Sequence, residues 1–248
     1  MTEVKASESR SGAHGFSVAV YGLTSCGGDQ MVFIDGEEEF SALDRVMDLR
    51  RVEVTDAGHD IIPADVALVE GAVVTPADEE RARLIRAKSR FVVAMGTCAC
   101  WGGLLASGPL GDAVRPLREV IAVDFALPGC PVQKDQIQLA LGSLAHGDIP
   151  RLPTSSVCNE CKIAEHICYL RERKVLCLGP ITVGGCGAAC LRQNVPCAGC
   201  RGPTANANPA ALLRLLLGAG DDGAVRASTA QALRIYAGDS ILAPEEHS

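Results

Sequence analysis

The stretch FSVAVYGLTSCGGDQ, residues 16–30, runs from an apolar segment into a glycine turn carrying one cysteine and one carboxylate. Seven residues as apolar as 16–22, followed at once by turn residues, predict a buried strand. Cys26 and Asp29 then stand three apart, the spacing at which a C-x-x-C pair grips one metal centre, with a carboxylate in the second place. Two readings of Asp29 are open. It is a ligand beside cysteines from elsewhere in the chain, or it caps the helix that MVFI continues.

Working outward, the strand pattern recurs in VALVEG (66–71), FVVAMG (91–96) and VIAVDFAL (120–127). Helical patterns lie between them: 37–50 around EEFSALDRVMDLR, 76–89 with Thr75 as cap and Pro76 in the first helical position, and 134–147 ending at Gly147. Such alternation predicts βαβ units and a parallel sheet covered on both faces, an α/β domain over residues 15–150. In an open parallel sheet the loops leaving the carboxyl ends of the strands converge on one edge. Cys26, Cys98 in GTCACWGG and Cys130 in PGCP all follow predicted strands, so three distant thiols can meet there. The alternative is three unrelated small buried cysteines.

Composition narrows the function. The 248 residues are 48% hydrophobic and carry a net charge of −7 with the signs well mixed, which leaves no basic stripe for nucleic acid. No apolar run approaches the roughly 20 residues of a membrane span. MTEVKASESRSGAHG lacks the apolar core of a signal peptide, which points to the cytoplasm. Twelve cysteines are then the anomaly, eight of them between 158 and 200. In a reducing compartment such density reads as metal binding rather than disulfides.

From Leu152 periodicity fades into the loops CNEC, HIC, CLGPITVGGCGAAC and VPCAGCRGP, so a second domain is expected over 151–248. Tyr169 is its one aromatic residue before position 235, and a segment so poor in core formers can draw order from bound metal. Helical patterns resume with Asn208 as cap and Pro209 opening ALLRLLL, then with AVRASTAQALRIYA up to Gly238. The eight thiols Cys158, Cys161, Cys168, Cys177, Cys186, Cys190, Cys197 and Cys200 divide into two quartets. Thiolate suits both zinc and iron–sulfur. Only Cys158/Cys161 and Cys197/Cys200 have zinc-knuckle spacing, and the looser remainder, with Pro196 before Cys197, fits loops around a cubane. Sequential quartets are the simpler division, with ligand sharing of the two-cluster ferredoxin kind as the alternative.

In this order, TSCGGD, GTCACWGG, PGCP and an eight-cysteine block containing CLGP and PCAGCRGP resemble the small subunit of nickel–iron hydrogenases, from about Phe16 to Pro203. The likeness is strongest to the cytoplasmic F420-reducing, viologen-reducing and sulfhydrogenase group. The resemblance implies a flavodoxin-like first domain with a proximal 4Fe–4S cluster among Cys26, Asp29, Cys98 and Cys130. It implies a distal cluster on Cys158, Cys161, Cys168 and Cys177, and a medial one on Cys186, Cys190, Cys197 and Cys200. Cys158 stands where many relatives have histidine, and Cys190 makes four irons the expected medial count. Cys100 is expected to be a spare buried thiol, Trp101 a packing residue and His166 a surface or neighbouring residue.

No pair of C-x-x-C motifs, one near each end of the chain, is present to hold nickel, and no dinucleotide fingerprint stands out. The expected role is therefore electron transfer. The resemblance implies a nickel–iron large subunit as the site of hydrogen chemistry and a flavin- or ferredoxin-type subunit as acceptor. The competing reading is a relay in a related complex whose large subunit lacks nickel.

Overall fold

The computed structural model describes residues 16–35, 49–55 and 60–217, with 223, 227–229 and 231–232 beyond them. Among the described residues five parallel strands form one sheet: β1 (Phe16–Gly22), β2 (Leu49–Thr55), β3 (Ala64–Glu70), β4 (Ser89–Met95) and β5 (Phe125–Leu127). Their spatial order is β2-β1-β3-β4-β5, the flavodoxin-like order, in which the winding reverses between β1 and β3. Val18 lies beside Val66 and Val66 beside Phe91, while the β1–β2 register shifts once, between Phe16 and Ser17.

Side chains alternate across the strands and build a core on each face. Ala19, Tyr21, Ala67, Val69, Val92 and Ala94 pack on one face with Ala82 and Ile85 of α2 (Pro76–Lys88), counting the short helix α1 (Gly28–Ile34) first. Val18, Val20, Val66, Leu68, Val93 and Met95 pack on the other with Phe33 and with Ile137, Ala140, Leu141 and Leu144. That second cover is α4 (Lys134–Ala145); α3 (Gly96–Trp101) lies between α2 and α4 in sequence.

Local signals placed several boundaries. Thr75 caps α2 in a full capping box with Asp78, and Asn208 Oδ1 accepts from the Ala211 amide at the start of α7 (Pro209–Leu217). Other expectations require correction. The helix expected over 37–50 lies mostly outside the described residues, and its last two positions begin β2 instead, a strand the sequence reading missed. The expected strand 120–127 shrinks to three residues, because the chain turns through a 3₁₀ segment at Leu117–Glu119 before it joins β4. Of the helix expected over 224–237, only scattered helical positions fall among the described residues.

After Leu152 regular structure is sparse: α5 (Val157–Ile163), a π-helical turn at Tyr169–Arg173 and α6 (Ala189–Arg192) precede α7. A small third core joins Val157, Leu170, Leu178, Ile181, Leu191 and Leu212, and two of its buried members are Cys177 and Cys197. This cysteine-rich segment docks on the carboxyl edge of the sheet. Gln136 Nε2 donates to the Gly185 carbonyl at 2.6 Å, and Arg201 Nη1 donates to the Pro128 carbonyl at 2.7 Å. Trp101 lies against Gly202, where a β-carbon would come within 2.4 Å of the indole, and the Arg118 guanidinium covers the ring at 4.4 Å. Packing is thus the role the structure gives Trp101.

Candidate metal centres

The carboxyl ends of β1, β3 and β4 deliver four side chains to one place. Cys26 follows β1, Asp29 lies in the first turn of α1, Glu70 ends β3, and Cys98 sits in α3 directly after β4. Cys130 arrives from the loop after β5. Cys98 lies within electrostatic reach of Cys130, Asp29, Cys26 and Glu70. Burial, and then these anionic neighbours, push the Cys98 thiol up to about 12.

Asp29 does not cap α1. The N-cap is Gly27, at φ +78, which has no side chain to cap with. The buried Asp29 carboxylate instead accepts from the Val132 amide through Oδ1 at 2.7 Å. Oδ2 fills the space over Gly96, where a β-carbon would stand only 1.7 Å away, and Gly96 has φ +83. Glycine is required there on both counts. Burial raises the Asp29 carboxyl to about 6, against the pull of the Val132 bond and with the help of Glu70.

Glu70, which the sequence reading did not single out, organises this turn. Fully buried, it accepts the amides of Asp29 at 3.4 Å and Gln30 at 3.0 Å. Its only signal in the sequence is a carboxylate closing an otherwise apolar strand, which costs energy unless it is bonded.

The sequence reading divides the eight later cysteines into two sequential groups. Cys158 neighbours Cys177, Cys161 and Cys168, and Cys161 neighbours Cys177 and Cys168. Cys200 neighbours Cys186, Cys190 and Cys130, and Cys197 neighbours Cys177, Cys200 and Cys190. The groups touch at Cys177 and Cys197: the Cys197 amide donates to Cys177 Sγ at 3.3 Å, and the Gly179 amide donates there too. The second group also meets the sheet, since the Cys130 amide donates to the Cys200 sulfur. Burial raises Cys158 and Cys200 to about 11 and drives Cys197 higher still.

All twelve cysteines are free thiols. Thiols crowded in low dielectric resist ionisation, and a bound cationic centre removes that resistance, so this soft donor set fits iron–sulfur clusters. Among the described residues no three His, Cys, Asp or Glu side chains are close enough to clasp a single ion. Cys100 is buried in the sheet core, as expected, with its thiol aimed at the Ala94 carbonyl at 3.5 Å. His166 is half-buried beside Cys161, whose carbonyl accepts its amide at 3.1 Å.

The chain is thus a parallel α/β sheet with thiols on the loops leaving its carboxyl edge, continued by a cysteine-rich lobe. A family model described as NADH ubiquinone oxidoreductase, 20 Kd subunit, matches residues 26–144. Sulfhydrogenase 2 subunit delta of Pyrococcus furiosus is 32% identical over 218 residues, 80% of this chain and 91% of that one. A subunit of the vhu F420-non-reducing hydrogenase of Methanocaldococcus jannaschii is 33% identical over 187 residues, 56% of this chain and 65% of that one. In fold, the chain is similar to one in the actinobacterial-type NiFe-hydrogenase of Ralstonia eutropha, with a TM-score of 0.58 at 18% identity over 95% of this chain and 94% of that one. The chain belongs to the hydrogenase small-subunit family. Among the described residues no helix is long and apolar enough to cross a membrane.

Proposed function

We propose that this chain is the electron-transfer subunit of a nickel–iron hydrogenase and holds three 4Fe–4S clusters. Cys26, Asp29, Cys98 and Cys130 would hold the proximal cluster, Cys186, Cys190, Cys197 and Cys200 the medial, and Cys158, Cys161, Cys168 and Cys177 the distal. When bound, the clusters supply one-electron redox chemistry between hydrogen oxidation on a partner large subunit and a flavin- or ferredoxin-type acceptor. What supports this reading is that the cysteine-bearing stretches meet in order: Cys130 lies beside Cys200, and the Cys197 amide donates to Cys177 Sγ.

The protein's own contribution is the shell. The amides of Cys197, Gly179 and Cys130 donate to sulfurs, and such bonds tune thiolate-held centres. The sheet domain over 15–150 and the cluster domain over 151–248 are read as two lobes joined through these contacts. Metal analysis of the purified complex tests the reading. About twelve irons per chain are expected, four to each cubane. Iron near four sinks the three-cluster assignment, and zinc with little iron sinks the redox role. Nickel in the same sample separates a hydrogenase from a relay that has lost hydrogen chemistry.

A further inference from the structure

Arg201 is 1% exposed and ranks among the largest fully buried side chains. It lies between the sheet edge and the cysteine-rich lobe. Nε donates to the Gly184 carbonyl and Nη1 to the Pro128 carbonyl, each at 2.7 Å. Both partners are neutral, and a guanidinium stays charged in proteins. Nη2 is buried with no hydrogen-bond partner among the described residues. It lies over Gly185, where a β-carbon would come within 2.9 Å of it; Gly185 has φ +108 and precedes Cys186.

A buried cation with an unused donor is costly unless negative charge faces it. The anionic groups nearest in effect are Cys186 and Cys200, ahead of Glu160 and Asp135. Glu160 belongs to the same turn from the other sign: its carboxylate accepts the Gly185 and Ala188 amides, the latter at 3.0 Å, and lies 3.9 Å from Cys186 Sγ. One fixed cation and one carboxylate therefore bracket the Gly185–Ala188 turn that carries Cys186.

We propose that Arg201 sets the reduction potential of the Cys186/Cys190/Cys197/Cys200 centre. Its guanidinium, aimed at the Cys186 turn, stabilises the extra negative charge of the reduced state and holds the potential up, while Glu160 lowers it. The step concerned is the uptake of one electron from the titrant, with no bond made or broken. The inference rests on the cluster assignment above. Arg201 bonds the backbone beside the Cys186 turn and acts through its charge, so it is a positioning residue.

The test is a redox-poised EPR titration of the purified complex containing the full chain. In Arg201→Met the ratio of reduced to oxidised medial centre at the parent's midpoint should fall about tenfold, a downward shift of about 59 mV for one electron. Arg201→Lys should recover most of it, and the distal midpoint should move less. If Arg201→Met does not load iron, Arg201→Gln, which keeps a donor without the charge, is expected to shift the same way. Glu160→Gln, which leaves Arg201 in place, should raise the medial midpoint. Fully loaded variants of Arg201 with the parent's midpoint, or Glu160→Gln with no upward shift, overturn the inference alone. A parent complex with no 4Fe–4S signal overturns the cluster assignment beneath it.

Discussion

Thr97 Oγ1 donates to the carbonyl oxygen of Cys200 across 103 positions of sequence. Thr97 precedes Cys98 in α3 and is nearly fully buried, so one hydroxyl links the turn carrying Cys98 to the loop carrying Cys200. The first prediction follows from it. Thr97→Val keeps the shape but leaves a buried carbonyl unsatisfied, which costs about 1–3 kcal/mol. The thermal midpoint of the complex should fall and Thr97→Ser should restore it; a parent-like Thr97→Val would show that this bond holds nothing together.

Gly96 and Asp29 make a second pair. An added methyl at Gly96 meets Asp29 Oδ2 and adds a strained φ worth about 1–2 kcal/mol. Gly96→Ala should lower proximal iron content, and Asp29→Ala in the same chain should relieve the clash without restoring the ligand. Asp29→Cys should keep four irons and move the proximal potential. If Asp29→Ala leaves the proximal EPR signal and potential unchanged, the carboxylate only holds Val132.

Asp78 predicts a pH dependence. Burial raises its carboxyl, but bonds from the Thr75 and Val74 amides and the Thr24 and Thr75 hydroxyls outweigh this and hold it below the usual range. A depressed folded value means the stabilisation is full above the unfolded value, about pH 4, and is lost as pH falls through the folded one. Asp78→Asn should cost about 1 kcal/mol at neutral pH, as a lost cap does. The gap between parent and variant in denaturant unfolding should close below pH 4; a constant gap would refute the charge argument.

Cys197 and Cys100 form a matched contrast, since both are buried. Cys197→Ala should remove about four irons per chain and most of the protease resistance of residues 152–203, because that lobe has only a small apolar core. Cys100→Ala should keep all iron and cost only ~1 kcal/mol. Iron analysis with timed trypsin digestion checks both, and unchanged digestion of Cys197→Ala would show that ordinary packing holds the lobe.

The sequence alone determined what local physics decides. β1, β3 and β4 were legible because strands buried on both faces are continuous apolar runs, and α2 and α7 because Thr75 and Asn208 cap them within three residues. The cysteines were legible because thiol chemistry is a property of the residue. β2 was not: Arg50, Arg51 and Glu53 interrupt its apolar positions at the sheet edge, where only pairing with β1 makes it a strand. The cap of α1 passed to Gly27 because Val132, 103 positions away, claims the Asp29 carboxylate. Glu70, Glu160 and Arg201 were silent for the same reason. A charge inside a fold gains its meaning from partners that only the closed sheet and the docked lobe bring near, and burial decides what that charge does.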